Sequence, residues 1–490
     1  MPKDNYRFET NFFCNQLGVV QHKMIRHSVL VPLEFSGHGS FYDQKDVFND
    51  ILVKFIENCL NISGIILVGW ESMGGGRGLS SIGLSILSTV SIEFEERGKW
   101  SMTEHIPVQK NDEIELQIDD LSHDAYGVGR FQGYALFVKD ALPGEVIKAK
   151  VLKTKKNFGY AKLLALLEPS TTRMAPPCPL YAKCGGCQLQ HMAYSEQLKF
   201  KEKLVCSNLE RIGGIDLSDV QFHPIMGMAE PWRYRNKTQV PIGEEEGGLI
   251  GGFYRDRSHD IIDMKQCLIQ HELHDQVVQA VKTIGSRLGI PAYHEASHSG
   301  FLRHVVAKYG FETDQLMIVL VTNGEKFPAK EGLIAALTTR FPNLKSIVQN
   351  INTKQTNVIF GEQSKVLWGE PYIYDTIGNI RFAISACFFF QVNPVQTKLL
   401  YDTALKFADL QGDETVIDAY CGIGTISLFL AQEAKQVYGV EVVAEAVEDA
   451  KRNAMLNNMT NVRFETGKAE EILPGWTGEG IEADVIVVDP

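Results

Sequence analysis

Thr415-Val416-Ile417-Asp418-Ala419-Tyr420-Cys421-Gly422-Ile423-Gly424-Thr425 is the stretch whose reading decides the fold. Residues 415–420 form a short apolar run of the kind buried on both faces of a parallel sheet. Cys421-Gly422-Ile423-Gly424 is the turn that leaves it, and residues 425–434 have the spacing of an amphipathic helix. Gln436-Val437-Tyr438-Gly439-Val440 is then a second strand, and it ends in Glu441. A glycine turn lets backbone approach a ligand, and an acid at the second strand tip can hold ribose hydroxyls. Gly422 and Glu441 are 19 residues apart, close to the ~20 of nucleotide-binding units. The dinucleotide pattern G-x-G-x-x-G fails, because Ser427 stands at its third glycine and bulky Cys421 opens the turn. Asp484-Val485-Ile486-Val487-Val488-Asp489-Pro490 reads as a fourth strand with an acid at its tip.

Working back from that unit, residues 192–370 are mixed α/β. Helical spacing lies near 194–212 and 271–288, and strand signals lie at 301–309 and 316–322. Trp232-Arg233-Tyr234-Arg235-Asn236-Lys237 reads as a strand with Arg233, Arg235 and Lys237 on one face. At ~3.3 Å per residue such cations lie about 7 Å apart, a spacing that can follow a phosphate chain.

Three of the nine cysteines crowd into ten residues, as Cys178-x5-Cys184-Gly185-Gly186-Cys187. In a chain without a secretion signal this suggests metal or redox chemistry before disulfides. Iron–sulfur and structural zinc sites usually take four ligands, and both readings fit the composition. Cys206 sits in a lysine-rich helical stretch, so Cys267, which follows a turn-like sequence, is the better fourth ligand.

Residues 110–168 change to short alternating strands, at 113–118, 131–138 and 145–152, with turn signals at 126–130 and 142–145. Several short strands in so few residues predict a small β-barrel. Between Val146 and Leu167 there are six lysines (148, 150, 153, 155, 156 and 162) and no acid, with Phe158 and Tyr160 interleaved. Cations for phosphates and rings for bases are what an RNA surface needs.

Bulk charge decides little. The 490 residues carry a net −12, but residues 411–490 hold 15 acids against 5 bases. An acidic C-terminal unit therefore follows a nearly neutral remainder. No run reaches the ~18 apolar residues of a membrane helix, and the opening lacks a signal-peptide pattern. A cytoplasmic protein, without a membrane partner, is the expectation. Residues 1–101 carry no motif that attaches to chemistry. Glu95-Glu96-Arg97-Gly98-Lys99 can be encoded by purines alone, as a bacterial ribosome-binding site would be. Met102 is therefore the expected native start and the preceding stretch an extension.

The order of parts is a basic barrel at 102–168, a cysteine loop and mixed α/β domain at 169–372, and a doubly wound unit at 373–490. Three motifs carry a family resemblance: Cys184-Gly185-Gly186-Cys187-Gln188-Leu189-Gln190-His191, Phe388-Phe389-Phe390-Gln391-Val392-Asn393 and Asp418-Ala419-Tyr420-Cys421-Gly422-Ile423-Gly424-Thr425. From Met102 onward the chain resembles the S-adenosylmethionine-dependent RNA uracil-5-methyltransferases that modify 23S ribosomal RNA. The resemblance implies a TRAM (OB-like) barrel, a mixed central domain and a class I, Rossmann-like methyltransferase domain, incomplete because the chain stops at the fourth strand.

It further implies that Cys178, Cys184, Cys187 and Cys267 hold a [4Fe-4S] cluster, and that Gln391, Tyr420, Glu441 and Asp489 contact S-adenosyl-L-methionine. Read from its neighbours alone, Gln391 would simply cap the helix that begins near Pro394. Uracil C5 is a weak nucleophile until a cysteine adds to C6, and a base must later remove the C5 proton. In the family these groups lie in a Ser-Cys-Asn-Pro segment and a Glu beyond the Asp-Pro motif. No catalytic residue is therefore expected within residues 1–490, and this stretch alone is expected to be inactive. Cys421 belongs to the cofactor loop and Cys387 to packing.

The expected partner is 23S ribosomal RNA, and DNA is not expected. Transfer RNA is the alternative substrate, and a non-enzymatic RNA-binding iron–sulfur protein is the alternative of another class. A radical enzyme bearing the same barrel would need Cys-x3-Cys-x2-Cys. An amino-group methyltransferase would need Asn/Asp-Pro-Pro-aromatic after the fourth strand.

Overall fold

The structure is a computed structural model that describes Gly64–Leu67 and residues 106–489. The Met102 start and the reading of 1–101 as an extension fall, apart from that one strand, outside the described residues. Strand β1 is Gly64–Leu67.

The barrel comprises β2 (Glu113–Gln117), β3 (Asp120–Leu121), β4 (Gly127–Phe131), β5 (Tyr134–Lys139), β6 (Val146–Thr154) and β7 (Phe158–Glu168), in the order β2-β6-β7-β5-β4-β3. Inward residues such as Leu116, Leu136, Val138, Ile147, Ala149 and Val151 form its core. Two expectations shift here. Residues 127–131 are a strand, and the turn is Gln132-Gly133, both at positive φ (49° and 85°) as a tight hairpin requires. Gly127 and Gly129 are glycines because of close approach. A Cβ would lie 2.7 Å from the Ala141 carbonyl oxygen at one and 2.3 Å from that of Gln117 at the other. Below the barrel, fully buried Glu145 accepts from Leu142 N (2.8 Å) and Ser170 N (3.3 Å) and ion-pairs with Arg173. It thereby staples the barrel to residues 169–177, the stretch after β7 that holds Pro169, Pro176 and Pro177.

The central domain begins with helix α1 (Tyr194–Arg211), then β8 (Lys237–Glu245), β9 (Gly248–Gly251), α2 (Glu272–Arg287), β10 (Leu302–Gly310), β11 (Gln315–Thr322), α3 (Lys330–Arg340), β12 (Leu344–Ile351) and β13 (Gln363–Gly369). Its sheet runs β13-β12-β11-β10-β8-β9. Met317-Ile318-Val319-Leu320-Val321 is a continuous apolar run because both faces are covered. Ile318 and Leu320 face α2 and α3, while Met317, Val319 and Val321 face the next domain. At ~1.5–3 kcal/mol for each buried side chain of this size, that two-sided burial holds the sheet at the middle of the molecule.

A hairpin, β14 (Ile373–Ile377) and β15 (Ile380–Ile384), leads to α4 (Pro394–Ala408). The last unit is β16 (Thr415–Asp418), α5 (Thr425–Leu430), β17 (Gln436–Glu441), α6 (Ala444–Leu456), β18 (Val462–Thr466), α7 (Ala469–Gly478) and β19 (Val485–Val488). Its sheet is all parallel, in the order β1-β19-β16-β17-β18. The chain moves outward from β16 through β17 and β18, then returns to the other side of β16 as β19. That reversal opens a crevice at the strands' carboxyl ends, where open α/β sheets bind ligands. Among the described residues no helix is long and apolar enough to cross a membrane.

Candidate functional site

The crevice is built by three strand ends. From β16, buried Asp418 accepts a hydrogen bond from the Ser427 hydroxyl and another from Tyr420 N at 3.3 Å. Gly422 and Gly424 adopt positive φ of 52° and 81°, which glycine enters without a Cβ penalty. From β17, the Glu441 carboxylate braces this loop: Oε2 accepts from Gly422 N at 3.2 Å and Oε1 from Val443 N at 2.9 Å. Tyr420 stands half-buried beside it, and burial pushes its hydroxyl up to about 12. From β19, Asp489 closes the crevice. Burial, with the Asp418 charge adding, pushes its carboxyl up to about 8; burial also pushes Asp418 up to about 6.

The fourth wall is the loop before α4. Gln391 is buried, and among the described residues its Oε1 and Asp489 Oδ1 are buried oxygens without a hydrogen-bond partner. Such groups cost ~1–3 kcal/mol each unless a ligand meets them. The capping explanation for Gln391 fails, because Asn393 caps the helix by accepting from Gln396 N at 3.1 Å. The Asn-Pro pair at 393–394 was the local signal for that cap. Gln391, Tyr420, Glu441 and Asp489 thus belong to four separate segments, the loop before α4 and the carboxyl ends of β16, β17 and β19.

Sequence reasoning missed the side chains that hold this wall. Asn236 Nδ2 donates to Gln391 O at 2.8 Å, and Lys308 Nζ donates to Ser385 O and Phe388 O at 2.6 and 2.9 Å. These contacts span 77 to 155 residues, so no local pattern announces them. Cys421 is buried in the loop with its thiol raised well above the usual range by that burial, which suits packing. Cys387 Sγ lies 3.3 Å from Ser364 Oγ and 3.6 Å from Asn350 Nδ2, so it packs against polar groups as well as the apolar core.

A second cavity, in the central domain, is lined by Cys178, Cys184, Cys187 and Cys267, together with Arg235 and Lys237. Cys206, on α1, does not line it. The loop is tied by Cys184 N to Leu180 O (2.8 Å), Gly185 N to Tyr254 O (3.2 Å) and Gln188 Nε2 to Gly185 O (2.8 Å). Burial raises the Cys184 thiol and pushes Cys187 up to about 11 and Cys267 up to about 12. Burial likewise pushes Lys237 down to about 7, with Lys308 and Arg235 adding to the effect. Among the described residues, no three or more His, Cys, Asp or Glu side chains are grouped so as to hold a metal.

The strand expected at 232–237 is not formed. Arg233 has φ 56°, and only Lys237 enters β8. Arg233 pairs with Asp275 at 2.6 Å, Arg235 is buried, and Lys237 faces the cysteine cavity and the Phe389 ring. They are not an exposed phosphate-following stripe. The barrel offers the better surface. Lys148 pairs with Glu113, but Lys153, Lys155, Lys156 and Lys162 are exposed. Phe137, Phe158 and Tyr160 form a ring cluster with centroids 5.5–5.8 Å apart, and Tyr126 adjoins it at 6.4 Å. Lys155 lies 5.0 Å over Phe158, and Arg257 reaches Tyr126 from the central domain. Cations and rings meet on one face, as RNA contact requires.

Residues 107–164 match the TRAM domain family, and residues 410–489 match a family described as a methyltransferase domain. An uncharacterized RNA methyltransferase of Halalkalibacterium halodurans is 60% identical over 384 residues, spanning 78% of this chain and 83% of that protein. Another, from Oceanobacillus iheyensis, is 52% identical over 385 residues, with the same coverage of 78% and 83%. Among solved structures, the chain is similar to the Pyrococcus abyssi tRNA (uracil-54, C5)-methyltransferase in complex with S-adenosyl-L-homocysteine. That likeness has a TM-score of 0.57 and 24% identity, over 72% of this chain and 80% of that one. It concerns the fold.

Proposed function

The chain belongs to the RNA methyltransferase family, and we propose that it moves a methyl group from S-adenosyl-L-methionine to C5 of a uridine in 23S ribosomal RNA. The observation that carries the cofactor assignment is the pair of buried, partnerless oxygens, Gln391 Oε1 and Asp489 Oδ1, on two side chains that both adjoin Tyr401, at the strand ends where Glu441 braces the glycine loop. A non-enzymatic RNA-binding protein would leave that pair without a purpose. Glu441 accepts the ribose hydroxyls, Tyr420 walls the adenosine side, and Asp489 faces the charged end of the donor where the base arrives.

The barrel's lysines and rings hold the RNA. Uracil C5 becomes nucleophilic when a thiolate adds to C6. The C6–S bond forms, the C5 enolate takes the methyl group as the methyl–sulfonium bond breaks and S-adenosyl-L-homocysteine leaves, a base removes the C5 proton, and the C6–S bond breaks to restore the thiolate. Cys421 is buried in the cofactor loop and Cys387 packs against Ser364 and Asn350, so neither is assigned the attack.

Cys178, Cys184, Cys187 and Cys267 are proposed to hold a [4Fe-4S] cluster. A single zinc needs all four sulfurs within ~2.3 Å of one point. What supports the reading is that four thiols line one cavity, the number of cysteine ligands a cluster takes. The guanidinium of Arg235 suits its net negative charge when four thiolates bind, and that charge would favour the protonated form of Lys237, which burial, with Lys308 and Arg235 adding, pushes down to about 7. The cluster would supply a cross-link between the 178–187 loop and Cys267.

The test is tritium release from RNA carrying 5-tritiated uridine, using protein expressed from the whole natural gene. Release from unmodified 23S RNA is expected. Methylation without tritium release overturns the C5 assignment, and release from transfer RNA alone overturns the substrate.

A pH effect follows from Asp489. With its carboxyl pushed up to about 8, it is protonated at pH 7 before the donor binds. A sulfonium cation favours the carboxylate, so binding releases a proton. Affinity for S-adenosyl-L-methionine should therefore rise from pH 6 to 8, by at most about tenfold per unit, and level off above. S-adenosyl-L-homocysteine, whose sulfur is uncharged, should show less of this. Calorimetry in two buffers of different ionisation enthalpy reads the proton directly, and identical heats would refute it.

A further inference from the structure

One segment lies between the two sites and is bonded to both. Arg233 N donates to Leu268 O at 2.8 Å and Arg235 N to Ile269 O at 3.0 Å, pairing this segment with the residues that follow Cys267. The Arg233 side chain adds bonds to Cys267 O (2.8 Å), Gln270 O (3.1 Å) and Asp275 Oδ2 (2.6 Å), and Asp275 accepts from Cys267 N at 2.9 Å. These bonds hold Arg233 in the left-handed conformation, φ 56°, which a non-glycine residue keeps only where its surroundings over-determine it. Three residues on, buried Asn236 bonds in the opposite direction. Its Nδ2 donates to Gln391 O at 2.8 Å and its backbone N to Val392 O at 3.0 Å. The Cys267 loop is thus one short segment away from the glutamine of the cofactor crevice.

We propose that Asn236 is a positioning residue that carries the order of the Cys267 loop to Gln391, so that filling the cysteine cavity and binding the methyl donor strengthen each other. The inference rests on the cofactor and cluster assignments above. Its physical content is a linkage. A group that fixes Cys267 fixes residues 233–236 through their shared backbone bonds, and Asn236 then presents Gln391 to the ligand already in place. Reciprocity follows, since each site must raise the other's affinity by the same factor.

The probe is S-adenosyl-L-homocysteine, titrated calorimetrically into the whole chain purified anaerobically, before and after iron is stripped by a chelator. Stripping should weaken wild-type binding about tenfold, within the usual range for coupled sites. Asn236→Ala should weaken the iron-loaded protein ~5–10-fold, as loss of one buried hydrogen bond predicts. Its iron content should be unchanged, and stripping should then alter its affinity by no more than about twofold. The Asn236 amide, which donates to Val392 O, gives a second reading without any substitution. Its hydrogen exchange in wild-type protein should quicken when iron is removed. Wild-type affinity in iron-loaded Asn236→Ala, an undiminished iron effect in that variant, or iron-independent exchange at Asn236 would each overturn the proposal while leaving the cofactor assignment intact. Absence of binding by the wild type in both states would overturn the cofactor assignment and this inference with it.

Discussion

Glu441→Ala is expected to weaken binding of S-adenosyl-L-homocysteine about a hundredfold, which corresponds to ~2.7 kcal/mol. The carboxylate has two tasks, which is why the loss exceeds that of one ordinary hydrogen bond. It already accepts from Gly422 N and Val443 N, holding the left-handed glycine turn open at the strand ends. In the proposed complex it also accepts the ribose hydroxyls, and bonds to a charged acceptor contribute ~1.5–3 kcal/mol. Glu441→Gln keeps the shape and one acceptor oxygen, so a loss nearer tenfold is expected. The measurement is calorimetric titration of both variants, with circular dichroism to show that they fold. Wild-type affinity in folded Glu441→Ala would remove Glu441 from the site.

That turn was legible in the sequence because its constraints are local. An apolar run, two glycines that must take positive φ, and an acid 19 residues on are all within one supersecondary unit. Strands at 415–418 and 436–441 therefore fall where the pattern puts them, as do the long helix of residues 194–211 and that of 272–287. The misreadings share a different cause. Gly127 and Gly129 look like turn residues, yet their lack of a Cβ answers to Ala141 and Gln117, neighbours brought in by the barrel's closure. Residues 232–237 alternate as a strand does, but Asp275 and the cysteine cavity draw their cations inward, and Arg233 leaves the extended region altogether. Lys308 and Asn236 had no signal, since a hydrogen bond to a carbonyl of another domain leaves no periodicity. Gln391 shows the limit most clearly. Its neighbours suggested a cap; in the folded chain Asn393, which the Asn-Pro pair signals, performs that task, and Gln391 Oε1 is buried without a hydrogen-bond partner.

Anaerobically purified protein is expected to be brown and to carry about four irons per chain. Cys267→Ser is expected to remove most of that iron, although Cys267 lies far in sequence from the Cys178, Cys184 and Cys187 loop. The reason is the cost of the empty cavity. Burial holds Cys187 and Cys267 as neutral thiols with raised pKa values, in a wall that also presents Arg235 and Lys237. Thiols must ionise to bind metal, so binding of the proposed cluster would have to offset their desolvation, and four thiolates facing those basic side chains at once would do so. Removing one sulfur therefore costs more than a quarter of the binding. Because the four cysteines are not gathered in the unfolded chain, the binding free energy of the proposed cluster would also add to folding stability. Chelation should then lower the thermal midpoint of the wild type but leave that of Cys267→Ser nearly unmoved. Iron analysis, visible absorption and thermal unfolding of the same samples decide the matter. A colourless wild-type protein with one stoichiometric zinc would show that the cavity contracts around a single ion, and would return the four cysteines to a structural zinc site.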